Sequence, residues 1–359
     1  MARFSDVLTI INGKNQSKVE NPNGQYPIYG SGGIMGYADD YICESQTVII
    51  GRKGNINKPI FVETPFWNVD TAFGLKANKD DLLPKYLYYF CEHFDFEKLN
   101  TTVTIPSLTK ANLLNIEIQL PTIEQQKEII SQLDNVENII FLRKQQLSKL
   151  DELVKSRFIE MFGDTILNPF RWDKDDLGAV CDVRDGTHDS PQYYETGYPL
   201  VTSKNVTGGK IDLTDCSLIC EADYEKINER SKVDFGDIIM PMIGTVGKPV
   251  IVDLEPNFAI KNVSLIKFKA ESKVINVYIR ALLQSDYFDD AVLSKVRGGT
   301  QKFISLGDIR KLEILVPPVE LQQQFAAFVE QTDKSKFDIQ KSLEKLETLK
   351  KALMQKYFG

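Results

Sequence analysis

The sequence predicts an α+β chain with two strand-rich blocks separated by two long helices, the helices pairing as an antiparallel coiled coil with pseudo-two-fold symmetry. Three observations carry that prediction. First, LPTIEQQKEIISQLDNVENIIFLRKQQLSKLDELVKSRFIEMFG at 120–163 returns without a gap as VPPVELQQQFAAFVEQTDKSKFDIQKSLEKLETLKKALMQKYFG at 316–359. Pro121, Glu124, Gln126, Phe141, Leu147, Lys149, Leu150, Leu153, Lys155, Phe162 and Gly163 recur as Pro317, Glu320, Gln322, Phe337, Leu343, Lys345, Leu346, Leu349, Lys351, Phe358 and Gly359. Second, each copy reads as one uninterrupted helix and follows a block rich in glycines and alternating apolar runs. Third, the blocks match each other as well as the helices do. A chain duplicated in this way is a pseudo-dimer in one polypeptide, and such symmetry suits a target that also has two parts.

The first block, 1–119, contains QTVIIGRKGNINKPIFVE, and the second, 164–315, contains GDIIMPMIGTVGKPVIVD. Val48-Ile49-Ile50 corresponds to Ile238-Ile239-Met240, Gly54 to Gly244, and Lys58-Pro59-Ile60 to Lys248-Pro249-Val250. Pro84-Lys85-Tyr86-Leu87 and Asn276-Val277-Tyr278-Ile279 each open a short helix, and Ile105-Pro106-Ser107-Leu108 matches Phe303-Ile304-Ser305-Leu306 ahead of each long helix. Between these matched segments the blocks diverge, with YPIYGSGGIMGYADDY at 26–41 against DGTHDSPQYYETGYPLVTSKNVTGGKID at 185–212. One scaffold with two sets of loops is what two readers of different sequence require, because loops on a rigid frame carry recognition.

The first long helix, within 120–163, has Thr122 as its expected N-cap, with Glu124 and Glu128 in the opening turns where acids complement the positive helix end. Leu133, Ile140, Leu147, Val154 and Met161 repeat every seventh residue, and Gly163 ends the helix. Roughly 40 residues at ~1.5 Å each make a rod of about 60 Å. In the second, within 316–359, Ile339, Leu346 and Leu353 hold the seven-residue line, with Leu343 and Leu349 beside it; Thr332 and Lys336 interrupt its first half. Each helix packing only on its own block is the alternative. Pairing is the expectation, because it buries both apolar stripes. A true pseudo-two-fold would then place the blocks at opposite ends.

The 359 residues carry 42% hydrophobic and 26% charged side chains, ordinary for a globular chain. No run approaches ~18 apolar residues, and MARFSDVLTI lacks the pattern of a secretion signal, so neither a membrane span nor export is expected. Cys43, Cys91, Cys181, Cys216 and Cys220 are scattered and odd in number, which suits reduced thiols and a cytoplasmic location. With only His93 and His188 beside them, no metal-ligand set is expected. The net charge of −7 argues against general polyanion binding and suits a subunit that meets DNA inside a larger assembly.

The Pro-x-x-Glu-x-Gln opening of each long helix, the Lys/Leu-rich helix ending in Phe-Gly, the GSGGIMGY loop, and GTHDSP followed by SKN together resemble the specificity subunit of Type I restriction-modification enzymes, along essentially the whole chain. The resemblance implies that residues 1–119 and 164–315 are target recognition domains, each reading half of a split DNA site. It implies that 120–163 and 316–359 are the spacer helices. It further implies a non-catalytic chain that binds no cofactor itself. Its partners would be double-stranded DNA, two methyltransferase subunits that methylate adenine N6 with S-adenosylmethionine, and two restriction subunits that use ATP and Mg to translocate DNA.

DNA specificity needs donors and acceptors at base edges and cations at phosphates. In the first block Tyr29, Ser31, Gly32, Arg52, Lys53 and Lys58 are the candidate contacts; the alternative is a plain glycine-rich hairpin with surface lysines. In the second they are Thr187, His188, Ser203, Lys204, Asn205, Thr245 and Lys248, with Arg297, Thr300 and Gln301 around the Gly298-Gly299 turn. His188 as a turn residue bonded to its own backbone, and Arg297 as a salt-bridge partner, stay open. GSGG lacks the Gly-Lys-Ser/Thr of a phosphate loop. A free-standing adenine methyltransferase would need an amide-proline-aromatic tetrad, and Asn168-Pro169-Phe170 lacks the second proline. A coiled-coil scaffold that binds protein alone is the other alternative, and the acidic balance favours it.

Overall fold

The computed structural model describes residues 1–99, 107–242, 247–269, 271–291 and 303–359. They form two compact units, one of residues 1–145 with 339–359 and one of residues 146–338. Each unit therefore takes in part of both long helices as well as one strand-rich block.

In the first unit an antiparallel four-stranded sheet runs in the order Leu8–Asn12, Ala72–Ala77, Thr47–Gly51, Ile60–Val62. Thr47–Gly51 is buried along its whole length because it lies between two neighbours and under the helix Pro84–His93, which explains why it reads as a continuous apolar run. That helix opens with Pro84 in its first turn, where the missing N–H costs nothing. Tyr86, Leu87 and Phe90 project from it into a core with Phe4, Val48, Ile50, Phe73 and Leu75. A second sheet has Tyr26–Gly30 at its centre, antiparallel to Gly33–Ala38 and parallel to Trp67–Asn68. A short pair, Ala2–Arg3 with Glu117–Ile118, closes the unit.

The second unit repeats this topology. Its four-stranded sheet runs Asp182–Asp185, Val263–Lys267, Ile238–Pro241, Val250–Ile251, and its second sheet has Tyr198–Val201 antiparallel to Ser217–Ile219 and parallel to Ala259–Ile260. Asp173–Asp176 with Glu313–Val316 stands where the first unit has its short pair, and Asn276–Leu283 is the covering helix. Ile239 faces Leu265 as Ile49 faces Gly74, so the strands matched by sequence are the same strand of the fold. The added length lies in a hairpin, Val206–Thr207 with Lys210–Ile211, and a helix, Glu221–Ser231. Gly208 and Gly209 both have positive φ, the conformation a two-residue hairpin turn demands.

The long helices span Ile123–Phe162 and Val319–Phe358. Thr122 caps the first: its hydroxyl accepts from the Gln125 amide at 3.3 Å, and Gln125 Oε1 accepts from the Thr122 amide at 3.1 Å. In the first unit Gln132 meets Tyr357, Glu137 meets Lys350 and Lys144 meets Glu347, so rising numbers on one helix face falling numbers on the other. In the second unit Asp151 meets Lys336 and Phe158 meets Phe325, with the same sense. The pairing is antiparallel in each. Of the seam positions, Leu133, Ile339 and Leu343 are buried, and Ile140, Leu147, Val154, Leu346 and Leu353 are half-buried. Thr332 fits the seam because its hydroxyl donates to the Phe328 carbonyl at 2.9 Å, and Lys336 because it pairs with Asp151 at 2.6 Å. Phe325 and Val329, one heptad before Thr332 and Lys336 on the same seven-residue lines and not singled out from the sequence, supply the apolar contact there.

The helix-opening glutamines explain the Pro-x-x-Glu-x-Gln motif. Gln126 is fully buried; its amide donates to the Asp81 and Pro121 carbonyls and its Oε1 accepts from the Leu83 amide at 2.8 Å. Gln322 does the same with Lys273, Pro317 and Ile275. Each pin ties a long helix to the turn ahead of a covering helix.

Candidate nucleic-acid interface

Four loops leave each unit at one end of its paired sheets. In the first unit the strand Leu8–Asn12 runs into Gly13 and Lys14, whose amide donates to the Asn68 carbonyl at 2.8 Å. A Cβ at Gly13 would sit 1.8 Å from the Val69 carbonyl, so only glycine allows that approach. Val69 in turn donates to Tyr29, and Arg52 donates to Thr71. Ser31 lies against Gly51, where an added Cβ would meet the serine Cβ at 3.0 Å. The folding thus brings Ser31, Gly32, Arg52 and Lys53 to one end, and Lys58 belongs to the same 52–59 loop. Arg52, Lys53, Lys58 and Gly32 are exposed and Ser31 is half-buried. Tyr29 is a different case: its ring packs edge-on to Phe66 at 5.4 Å inside a small apolar cluster, so its ring serves the scaffold.

Sequence reasoning passed over Lys14, which is exposed at this end, and the apolar side of the hairpin, where Ile34, Met35 and Tyr37 are exposed. Such side chains suit contact with a thymine methyl. Lys14 was findable. Asn12-Gly13-Lys14-Asn15 occupies the place that Asp185-Gly186-Thr187-His188 occupies in the second unit, since Asn12 pairs with Phe73 as Asp185 pairs with Ser264.

In the second unit the Thr187 amide donates to the Ile260 carbonyl, Asn262 donates to Thr187, and Lys261 donates to Val201, all through the backbone. Thr187, His188, Ser203 and Lys204 are gathered there, and the strand Ile238–Pro241 runs out beside them because Pro241 pairs with Val263. Lys248, exposed, lies on the return of that loop. Thr245, Arg297, Thr300 and Gln301 lie outside the described residues.

Two of these candidates hold positions that alter their expected role. Asn205 is buried. Its Oδ1 accepts from the Thr202 amide and hydroxyl at 3.0 and 2.9 Å, and its amide donates to the Asp212 and Asp215 carbonyls. It builds the loop and has no polar atom left for a base. The His188 ring bonds to neighbouring side chains, not to its own backbone. Nε2 lies 2.9 Å from Asp185 Oδ2 and Nδ1 lies 2.8 Å from Asn262 Oδ1. An oxygen at each nitrogen favours the protonated ring, in which both nitrogens donate, and hydrogen bonds to Asn262 and then Asp185 raise its pKa above the ordinary histidine value.

Among the described residues no group of three or more His, Cys, Asp or Glu is placed to hold a metal ion. Burial pushes the Cys43 and Cys181 thiols up to about 12, away from nucleophilic use. The amide of Asn168 is consumed in a turn, exchanging two hydrogen bonds of 2.9 Å with the Trp172 backbone, which removes the catalytic reading of Asn168-Pro169-Phe170. Against a chain charge of −7, the loop ends present Lys14, Arg52, Lys53 and Lys58 in one unit and Lys204 and Lys248 in the other.

Two loop-bearing β units of one topology, carried on antiparallel helices, define a duplicated recognition protein. The chain belongs to the family of the Type I restriction modification DNA specificity domain, whose model matches residues 1–152 and 169–351. It is the DNA-recognition component of such a system and not a catalytic one. It is 27% identical over 386 residues to the Type I restriction enzyme MjaVIII specificity subunit of Methanocaldococcus jannaschii, covering 99% of this chain and 90% of the relative. It is 20% identical to the EcoBI specificity subunit of Escherichia coli, covering 93% and 77%. The crystal structure of the Type-I restriction-modification S subunit from M. genitalium shares the fold, with a TM-score of 0.62 at 15% identity over 100% of this chain and 95% of that one.

Proposed function

We propose that this chain reads a bipartite DNA target for a Type I restriction-modification assembly, one half-site to each unit. The observation that carries the reading is one topology bearing two different loop sets, each with its cations at the same end. In this reading the paired helices set the spacing between half-sites at about one turn of DNA or slightly more, and they dock the partner subunits. Exposed apolar side chains at repeat-related positions support docking of two like partners: Phe141 and Leu349 in the first unit match Phe337 and Leu153 in the second. Those partners are two methyltransferase subunits, which use S-adenosylmethionine on adenine N6, and two restriction subunits, which use ATP and Mg, all in the cytoplasm.

Methylation mapping of host DNA tests this. Two short half-motifs separated by unread base pairs are expected, and a single uninterrupted motif assigned to this chain would defeat the reading. A gel shift with the methyltransferase subunits and a matched duplex separates it from a protein-only scaffold, which would leave the duplex unshifted.

A further inference from the structure

The second unit contains a charged constellation that its sequence motifs do not announce. Asp185, at the end of the strand Asp182–Asp185, has a side chain only 10% exposed. A buried carboxylate needs counter-charge, and here both partners point outward. Arg230, from the last turn of the helix Glu221–Ser231, pairs with one carboxylate oxygen and is 66% exposed. His188 pairs with the other and is 61% exposed. Two further contacts stiffen the group. Asn262 holds the second ring nitrogen of His188, and the Arg184 guanidinium donates to the Arg230 carbonyl at 2.8 Å. Beneath them Lys261, itself buried and outside the exposed set, donates to the Ser190 hydroxyl. The result is an outward-facing cationic set at the loop end of the unit, prearranged by a carboxylate that solvent hardly reaches.

We infer that Arg230 is a sequence-reading residue of the second unit, set by Asp185 and flanked by His188, and that it contacts a guanine in the half-site that unit reads. This rests on the function proposed above and assigns a residue within it. The physical reasons are three. A guanidinium with one nitrogen anchored on a carboxylate loses little further freedom when its remaining N–H groups meet guanine O6 and N7, the commonest base contact an arginine makes. His188 cannot serve as that donor, because Asp185 and Asn262 take both its nitrogens; it contributes charge. Arg230 also comes from a helix with no counterpart among the described residues of the first unit, so it distinguishes the two readers.

The test uses the assembled methyltransferase complex and duplexes bearing the mapped motif, alone and with single base-pair substitutions in each half-site. Arg230→Ala is expected to weaken binding to the intact site by about tenfold or more and to abolish discrimination at one G·C pair, leaving the other half-site as sharply read as before. Arg230→Lys is expected to restore part of the affinity but not the discrimination, because a point charge lacks the planar fork. Because Arg230 is exposed, neither variant removes core packing. Equal behaviour of Arg230→Ala and the parent on every duplex overturns the assignment, and so does a uniform loss that spares discrimination. A parent complex that discriminates at neither half-site overturns the bipartite reading itself. Asp185 and His188 act as positioning and charge residues, and their readout is a pH profile. The groups facing His188 are Asp185, Arg230 and Asn262. Binding should weaken as pH rises through the titration of the imidazolium, and His188→Gln should flatten that dependence. An identical profile in the variant overturns this part.

Discussion

Asn205 and Lys204 are neighbours with opposite fates. The asparagine is buried and fully bonded within its loop, whereas the lysine is exposed beside it. Asn205→Ala strips partners from the Thr202 amide and two carbonyls. It should cost the second unit about 1–3 kcal/mol, read by urea denaturation. Lys204→Ala should leave the denaturation midpoint unchanged and weaken DNA binding alike on all sequences, with a shallower salt dependence. Gln322→Ala tests the other buried amide. It leaves the Ile275 amide and the Lys273 and Pro317 carbonyls without partners, and about 2–4 kcal/mol of destabilisation is expected. For His188 the raised pKa has a definite sign. Its contribution to folding is full below the unfolded value of about 6.5 and is lost as pH rises through the higher folded value. At this scale the sequence showed which residue types suit DNA. Which of them keep a polar atom for DNA was decided by competing partners inside the protein, as Tyr29, Asn205 and His188 show.

The long helices were the most legible elements. Seven-residue spacing, a capping threonine and a terminal glycine are local signals, and the helices Ile123–Phe162 and Val319–Phe358 follow them closely. Their anchoring was less legible, because it depends on what the blocks offer. In the second unit Phe162 is buried against Tyr278 and Phe325, with ring centroids at 4.8 and 5.4 Å. In the first unit Phe358 packs on Tyr86 and Phe90 in the corresponding place. Phe162→Ala should therefore destabilise by about 3–5 kcal/mol, measured by denaturant unfolding. Around the same place the units part company. In the first, Lys350 bridges Glu92 and Glu137 at 2.7 Å each, and Tyr89 donates to Asp134 at 2.5 Å. In the second, the residue matching Lys350 is Val154, packed against the apolar core. A charged docking site and an apolar one give each helix end a preferred block, since an unpaired lysine in an apolar site is costly.

For the whole molecule, duplication predicts modular behaviour. Replacing residues 1–119 with the corresponding block of another family member should change one half of the methylated motif and leave the other intact. Inserting one heptad into each long helix keeps the seam in phase and adds about 10 Å. Both half-motifs should persist, with the unread gap about three base pairs longer. Methylation mapping reads both experiments, and a change in both half-motifs after the block exchange would break the modular picture.

By itself the sequence determined the repeat, the two helices, the equivalence of the blocks and the family likeness, because all four are written in order and spacing along the chain. It also placed Arg52, Lys53, Thr187 and Lys204 on loops, since turn residues announce themselves locally. Only the tertiary structure decided that four loops distant in sequence share one end of each unit, that glutamines pin the helices, and that Asp185 aims Arg230 and His188 outward. Those outcomes depend on long-range strand pairing and on which polar groups are buried together, and spacing along the chain encodes neither.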